Sequence, residues 1–327
     1  MYTPDIFFRA DGNSARGLGH LYRCMAIAGA FNKEQTCFAG VDFPDQVLSD
    51  LEQSFGSIVR LKNDDNDNGL KQLNSLVTKD SVVILDGYHF DESYRCKLKS
   101  TNCKTVMIDD MYMDFSCADM VLNPSQEAKK DMYNGEGNPE FCFGFEYAPV
   151  RKSFSEPHNY PRKPKTAFVA MGGADPKNLA PKIAHKLAST GLFETIHVLT
   201  KDNIVSNSMV NIIVHQELTA DQLKYYFATS EFVVLPASTM AMEAMTTGTI
   251  LALGYFIDNQ ESLYRGFTQH NMASKLGDLN HLDKINWNEI ISDTLLSSEL
   301  ILNNQSAVFD GKSLTRIKNK INLIRKI

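Results

Sequence analysis

Short apolar runs that are continuous, rather than alternating with polar residues, set the strongest limit on how this chain can fold. Ile6-Phe7-Phe8, Ser81-Val82-Val83-Ile84-Leu85, Thr105-Val106-Met107-Ile108 and Met120-Val121-Leu122 are such runs. A strand reads this way when both of its faces are covered, as in a parallel sheet between helix layers. Between runs the apolar spacing widens to the helical period, as at Leu21, Cys24, Met25 and Ala28 in a helix expected over 21–31. Strands separated by helices specify βαβ units, and so an α/β fold with parallel sheets.

One stretch interrupts the pattern. Residues 155–165, Ser-Glu-Pro-His-Asn-Tyr-Pro-Arg-Lys-Pro-Lys, carry three prolines and little apolar content, and read as a linker. The alternation then restarts. Strands are expected at 166–171, 195–199, 212–214, 232–235 and 249–253, with helices at 179–189, 220–228 and 239–245. A chain of 327 residues suits two domains. The expected layout is a domain over 1–154, the linker, a second domain over 166–312 and a terminal helix over 313–327. That helix is basic and amphipathic, with Leu314, Ile317, Ile321 and Ile324 on one face, a pattern that packs on a domain.

A formal net charge of −6 argues against a wholesale binder of nucleic acid or anionic membrane. No apolar run reaches the ~18–20 residues that a membrane span needs. The opening residues, Met1 to Arg9, read as a strand rather than a secretion signal, so a cytoplasmic location is expected. The six cysteines (24, 37, 96, 103, 117 and 142) form no C-x-x-C pair and no zinc spacing, and are expected as buried thiols. Neither a metal nor a cofactor is expected. Asn63 to Gly69 is polar and acidic but lacks the spaced ligands of a calcium loop, and reads as a solvated loop.

The first chemical signal is Arg9-Ala10-Asp11, then Gly17-Leu18-Gly19-His20, then Arg23-Cys24. A strand runs into a loop with two glycines and out into a helix. Glycine allows close backbone approach, and a helix N-terminus offers N–H groups to a phosphate. Tyr22 stands where a dinucleotide fingerprint needs its third glycine, and no Gly-Lys-Ser/Thr follows, so the stretch is neither a complete Rossmann fingerprint nor a P-loop. His20 at the helix start either caps the loop or accepts a proton from water, with Asp11 as a carboxylate to orient its ring.

A second signal lies at strand ends, where parallel sheets bind ligands. Asp86-Gly87-Tyr88 and Asp109-Asp110 both follow apolar strands. Asp86 and Tyr88 read as site residues; Asp110 reads equally as a helix cap or a ligand contact. In the second half, Gly172-Gly173-Ala174-Asp175 follows a strand, and Ser238-Thr239 precede a helix carrying Glu243. Ser238 and Thr239 can cap that helix or bind a phosphate, and Glu243 can accept bonds from ribose hydroxyls. Asn259 and Gln260 follow the next strand. His89-Phe90-Asp91 is an isolated H-x-D, and His185, His197, His215, His270 and His281 are scattered.

Taken in order, these residues resemble the bacterial UDP-2,4-diacetamido-2,4,6-trideoxy-β-L-altropyranose hydrolases of pseudaminic acid biosynthesis. The resemblance runs from Arg9-x-Asp11 and Gly17-x-Gly19-His20-x-x-Arg23-Cys24 through Asp86-x-Tyr88, Ile108-Asp109-Asp110 and Gly144-Phe145-x-Tyr147-Ala148-x-x-Arg151. It resumes at Gly172-Gly173-x-Asp175, Glu243, Asn259-Gln260 and Asp310-Gly311 with Arg316-Ile317. The resemblance implies a GT-B-like fold, two Rossmann-like domains facing a cleft, and metal-independent hydrolysis of a UDP-sugar with inversion. It places His20 as general base, Tyr88 near the sugar, and Gly173, Ser238, Thr239 and Glu243 on the nucleotide side. One departure concerns the phosphate contacts: residues 237–243 read Ala-Ser-Thr-Met-Ala-Met-Glu, where many members carry a Gly-rich segment and a Trp.

Two rival readings share the scaffold, because fold does not fix function. One is a glycosyltransferase using the same donor, the other a binding protein that never turns a donor over. The expected partner in every case is a small nucleotide sugar, with no nucleic acid and no membrane span.

Overall fold

The computed structural model describes residues 4–13, 17–62, 65–172, 175–204 and 210–326. The chain divides into two compact units, one formed by residues 1–152 with 312–327 and the other by residues 153–311.

In the first unit seven strands lie in one sheet: β1 Ile6–Ala10, β2 Thr36–Gly40, β3 Ser57–Arg60, β4 Val82–Asp86, β5 Lys104–Ile108, β6 Met120–Asn123 and β7 Glu140–Phe143. All pair in parallel, in the order β3-β2-β1-β4-β5-β6-β7. Every residue of β1, β2 and β4 is buried, which is why their sequences do not alternate. Around the sheet run α1 Gly19–Ala28, α2 Leu48–Ser54, α3 Asp65–Leu76 and α4 Glu92–Lys99. One face packs Phe8, Phe38 and Phe55 with α1, and the other packs Phe7, Val83 and Leu85 with Phe90, Tyr94 and Leu98.

Two expectations are corrected in this unit. The stretch read as a solvated loop does not stay one, because α3 begins at Asp65; Asn63 and Asp64 lie outside the described residues. Cys96, on α4, and Cys117 form a disulfide rather than two thiols. The fold sets their Cα atoms 5.2 Å apart across 21 residues of sequence, a proximity that spacing alone does not show. Cys24, Cys37, Cys103 and Cys142 are buried thiols.

A short helix, α5 Lys152–Ser155, leads into the second unit. Its six strands are β8 Lys163–Ala170, β9 Thr195–Leu199, β10 Asn211–His215, β11 Ser230–Pro236, β12 Leu251–Tyr255 and β13 Ser274–Asp278. They are again all parallel, ordered β10-β9-β8-β11-β12-β13. β8 takes in the last three residues of the proline-containing stretch. The helices are α6 Leu179–Ser189, α7 Ala220–Thr229, α8 Thr239–Thr246, α9 Asn259–Gln269, α10 Trp287–Leu296 and α11 Ser298–Val308. Thr219 and Gln222 close a reciprocal capping box at the start of α7, which satisfies two otherwise orphaned N–H groups.

The last helix, α12 Ser313–Ile324, returns to the first unit. Ile317, Ile321 and Ile324 are buried in the core formed by β1, β4 and α1, with Leu314 packed against it. Lys320 pairs with Glu140 at 2.5 Å, and Arg325 with Asp5 at 2.5 Å. The terminal helix therefore belongs to the first unit's hydrophobic core. Among the described residues no helix is long and apolar enough to cross a membrane.

Two predictions follow from packing. Ile321→Ala removes a fully buried side chain and should lower stability by roughly 2–5 kcal/mol in urea unfolding. The second concerns His197 on β9 and His215 on β10, whose ring nitrogens lie 3.0 Å apart, both rings against Tyr226. Burial, with His215 and Lys163 adding to it, lowers the His197 pKa from its ordinary 6.5 to about 4. Between those values the unfolded chain binds the proton that the folded one refuses, so stability falls as pH drops from 6.5 towards 4. In His197→Gln this part of the pH–stability slope should flatten, as read by thermal unfolding across that range.

Candidate active site

In both units the strand order reverses about the first strand, and ligands of open parallel sheets bind at that reversal, beyond the carboxyl ends of the strands. In the first unit the reversal lies between β1 and β4, paired through Ala10 and Asp86. The residue after β1 is Asp11 and the last residue of β4 is Asp86. The expected cluster therefore sits where topology opens the sheet edge.

The loop between β1 and α1 is shaped by glycine. Gly17 closes a turn on Asn13, its N–H donating to the Asn13 carbonyl at 2.8 Å, with φ at +76°. That conformation is costly for any residue with a Cβ. α1 then starts at Gly19 with no side-chain cap, so His20 does not cap the helix. Among the described residues a Cβ at Gly19 would meet nothing within 4 Å.

His20 instead points at Asp86. Its Nδ1 lies 2.7 Å from Asp86 Oδ1, and Asp86 is fully buried. One turn on, Arg23 forks onto the same carboxylate, Nε to Oδ2 at 2.9 Å and Nη2 to Oδ1 at 2.5 Å, while Nη1 donates to Asp110 Oδ2 at 2.8 Å. Nη2 of Arg23 also lies 2.8 Å from His20 Nδ1. Arginine only donates, so the crowding is resolved if Oδ1 accepts from both neighbours and Nδ1 carries its own proton. Burial pushes the Asp86 carboxyl up, but Arg23 and His20 outweigh it and hold the group below its usual range. An ionised Asp86 on Nδ1 leaves the lone pair of His20 on Nε2. The ring of Tyr88, itself 42% exposed, stands edge-on to that imidazole with centroids 5.0 Å apart.

Asp11 does not hold His20, contrary to the expectation from sequence. Its Oδ1 accepts from the backbone N–H of Val41 and Asp42 at 2.7 and 3.0 Å and from Arg9 at 2.8 Å. Its Oδ2 meets His89 Nε2 at 2.9 Å. Burial again pushes this carboxyl up, and the bonds from His89 and Arg9 more than reverse it, so Asp11 is held far below the carboxylate range. The reason is the pleat: Asp11 follows Arg9 on the opposite face of the sheet from Ala10 and Asp86. Arg9, expected from the sequence as a substrate-binding residue of the first signal, is buried behind Asp11 with its guanidinium over the Phe90 ring, and acts as a support.

Asp109 and Asp110 have separate jobs. The Asp109 carboxylate accepts from the backbone of Met111 and Tyr112 at 3.2 and 2.8 Å and shapes the turn. Asp110 faces Arg23, and its Oδ1 is buried with no partner among the described residues. The loop beyond is braced by Arg95, which is fully buried and donates to the carbonyls of Phe90, Asp114 and Ser116 at 2.6, 2.5 and 3.1 Å. The Cys96–Cys117 disulfide braces the same loop. Neither Arg23, Arg95 nor His89 stands among the site residues read from the sequence. Arg23 carried a signal, three residues after His20 on the same helix face, and His89 a weaker one in its H-x-D; Arg95 carried none.

In the second unit the expected residues gather at the carboxyl ends of β8, β11 and β12. Gly172 follows β8 with φ at +87° and open space where a Cβ would be; Gly173 and Ala174 lie outside the described residues. Asp175 accepts from the N–H of Leu179 and Ala180, both at 2.8 Å, and so caps α6. Ser238 precedes α8 without capping it, its hydroxyl turning to the Pro236 carbonyl at 3.3 Å. The start of α8, with Thr239 as its first residue, therefore carries no side-chain cap. Glu243 is buried one turn in. Asn259 opens α9, and Gln260 spends its carbonyl on the N–H of Phe256 at 3.1 Å, which makes it a structural residue of that turn.

No family model matches the chain. Among curated proteins it is 24% identical over 271 residues to the UDP-2,4-diacetamido-2,4,6-trideoxy-β-L-altropyranose hydrolase of Campylobacter jejuni, covering 79% of this chain and 93% of that protein. It is 25% identical over 229 residues to an uncharacterized protein of Methanocaldococcus jannaschii, covering 66% of this chain. The match spans 46% of that second relative, about half its length. Among solved structures it superposes on the glycotransferase of kitacinnamycin with a TM-score of 0.68 at 11% identity, covering 98% of this chain and 99% of the other. MurG of Acinetobacter baumannii superposes at 0.63 and 11%, covering 99% and 100%. This is the GT-B fold. Within it, the sequence resemblance to the altropyranose hydrolase extends over most of the chain.

The buried pair gives a direct test of the site's construction. Asp86→Asn removes the buried carboxylate that two arms of Arg23 grip, leaving Asp110 as its ion-pair partner, and should cost up to about 3–5 kcal/mol in urea unfolding. A loss below about 1 kcal/mol, the range of surface ion pairs, would show that the pair is solvated.

Proposed function

We propose that this protein hydrolyses a UDP-linked 2,4-diacetamido-2,4,6-trideoxy sugar at the anomeric C–O bond, with inversion. The products are UDP and the free amino sugar, the material of nonulosonic (pseudaminic) acid synthesis. The observation that carries the reading is the contact of His20 Nδ1 with the buried, ionised Asp86, which leaves Nε2 to take a proton from water. The resemblance to the Campylobacter hydrolase supports the substrate class.

In this scheme water attacks the anomeric carbon while His20 Nε2 accepts its proton. The C–O electron pair leaves with the β-phosphate. Asp86 orients the imidazole and stabilises the imidazolium as it forms, and Arg23 holds Asp86 in place. The unpartnered Oδ1 of Asp110 suits a sugar hydroxyl or an acetamido N–H, either of which would satisfy it. Tyr88 offers an exposed ring to the sugar's apolar face. The second unit takes the nucleotide, with Gly172, Gly173 and the uncapped start of α8 at Ser238 and Thr239 for phosphate, and Glu243 for ribose. Asn259 is placed at the same strand ends. The proposed location is cytoplasmic.

A glycosyltransferase is the second reading, favoured by the solved structures that share the fold. The two separate on one measurement. Incubation with UDP-2,4-diacetamido sugars, following free UDP and anomeric configuration by NMR, should show release without any added acceptor. Release that depends on a second sugar or lipid establishes the transferase. Under the hydrolase reading His20→Asn should lower UDP release by at least about 10²-fold while UDP affinity stays near wild type. Undiminished turnover in that variant eliminates His20 as the base.

A further inference from the structure

All six cysteines lie in the first unit, and their surroundings divide them into two kinds. Cys24, Cys37, Cys103 and Cys142 are buried thiols whose pKa burial pushes up, that of Cys142 to about 12. They stay protonated and inert, since the thiolate is the form that reacts. Cys96 and Cys117 are bonded to each other and only half-buried. Sulfur chemistry in this molecule is therefore confined to one bond.

That bond ties down a loop of the candidate site. β5 ends at Ile108 and β6 begins at Met120, and no helix links them among the described residues. The connection carries Asp110, whose carboxylate meets Arg23 at 2.8 Å. Two consecutive residues of α4 grip its far end: Arg95 donates to the carbonyls of Asp114 and Ser116, and Cys96 is bonded to Cys117. Asp109 holds the near end by accepting from Met111 and Tyr112. Two residues of the connection sit in the left-handed backbone region without being glycine, Tyr112 at φ +57° and Cys117 at φ +65°. A residue with a Cβ pays free energy there and stays only while its surroundings hold it. For Cys117 those surroundings include a covalent bond that a thiol can open.

We propose that Cys96–Cys117 is a thiol-operated latch on the loop that carries Asp110. A small thiol such as glutathione supplies the electrons. Its thiolate attacks one sulfur of the pair, forming a mixed disulfide and expelling the other cysteine as a thiolate, which takes up a proton. A second small thiol attacks the mixed disulfide at the small molecule's sulfur and releases the remaining cysteine. The protein gains two electrons and two protons, and two small thiols become one small disulfide. The reverse exchange, with that small disulfide as oxidant, closes the latch. Opening lets Cys117 leave the left-handed region and removes one of the two ties to α4. Arg95 keeps its carbonyl partners, so the loop loosens without the unit unfolding. Disulfides in a reducing compartment are usually transient or redox-sensing, and this one has the access and the placement for it.

The test uses the full chain, oxidised at the start. Glutathione or dithiothreitol is added without denaturant, free thiols are trapped with iodoacetamide, and the peptides are read by mass spectrometry. Label should appear at Cys96 and Cys117 and at none of the four buried thiols. A bond that resists reduction until denaturant is added overturns the proposal, as does label spread over all the cysteines. Hydrogen exchange then compares the two redox forms. Peptides spanning 109–118 should exchange at least roughly tenfold faster when reduced, while those of β4 and β5 keep their rates. Equal rates at the loop overturn the latch. Cys96→Ser with Cys117→Ser should copy the reduced form and ignore added thiol, and the reduced wild type gives the same reading if that variant fails to fold. One further arm rests on the nucleotide-sugar reading. Asp110 is there a sugar contact and moves no proton, so reduction should raise KM for the UDP-2,4-diacetamido sugar several-fold and change kcat less. Identical constants in the two forms overturn control of the site. No turnover in either form defeats the hydrolase reading, and labelling and exchange then judge the latch alone.

Discussion

The fully buried carboxylate of Asp86 is the point on which the polar network at the edge of the first sheet depends. An isolated charge in that position is untenable, since stripping its water costs several kcal/mol even after relaxation. Arg23 removes the penalty by forking onto both oxygens, and His20 uses the remaining acceptor capacity. One interaction thereby does two things: it fixes the helix α1 against the end of β4 and holds the His20 ring by its Nδ1 edge. Asp110 extends the network through the last arm of Arg23 and brings a buried acceptor with it.

The placement of this network follows from topology. Both units order their strands outward from the first strand in two directions, and in each the expected polar residues collect at the reversal. In the first unit the pleat adds a further separation. Asp86 and Asp11 end neighbouring strands but face opposite layers, so each recruits its own histidine from its own side. A loop braced by a buried arginine and a disulfide carries Asp110 to the same edge.

Much of the architecture was legible in advance. Apolar runs at Val82–Leu85 and Val106–Ile108 announced parallel strands because buried strands cannot alternate. Ile317, Ile321 and Ile324 announced a helix with one buried face, though not which unit it would enter. His20 was legible as a candidate residue from its company of glycines and a following helix. Its carboxylate partner was not. Asp11 is nine residues away in sequence and Asp86 sixty-six, yet strand alternation turns the near one to the other face. Asp65 to Gly69 misled because polar composition resembles a loop, whereas tertiary contacts of Leu70 and Leu73 support a helix there.

The linear sequence, then, determined the class of fold, the run of strands and helices, and the residue types available at the strand ends. It could do so because burial on two faces and helical period are local properties, written into consecutive residues. Only the tertiary structure decided the pairings: His20 with Asp86, His89 with Asp11, Cys96 with Cys117, and the last helix with the first unit. Each of these joins residues far apart in the chain, and each depends on strand order and on which face a side chain leaves. Those are settled when the sheets close, by packing and by the need of every buried charge for a partner.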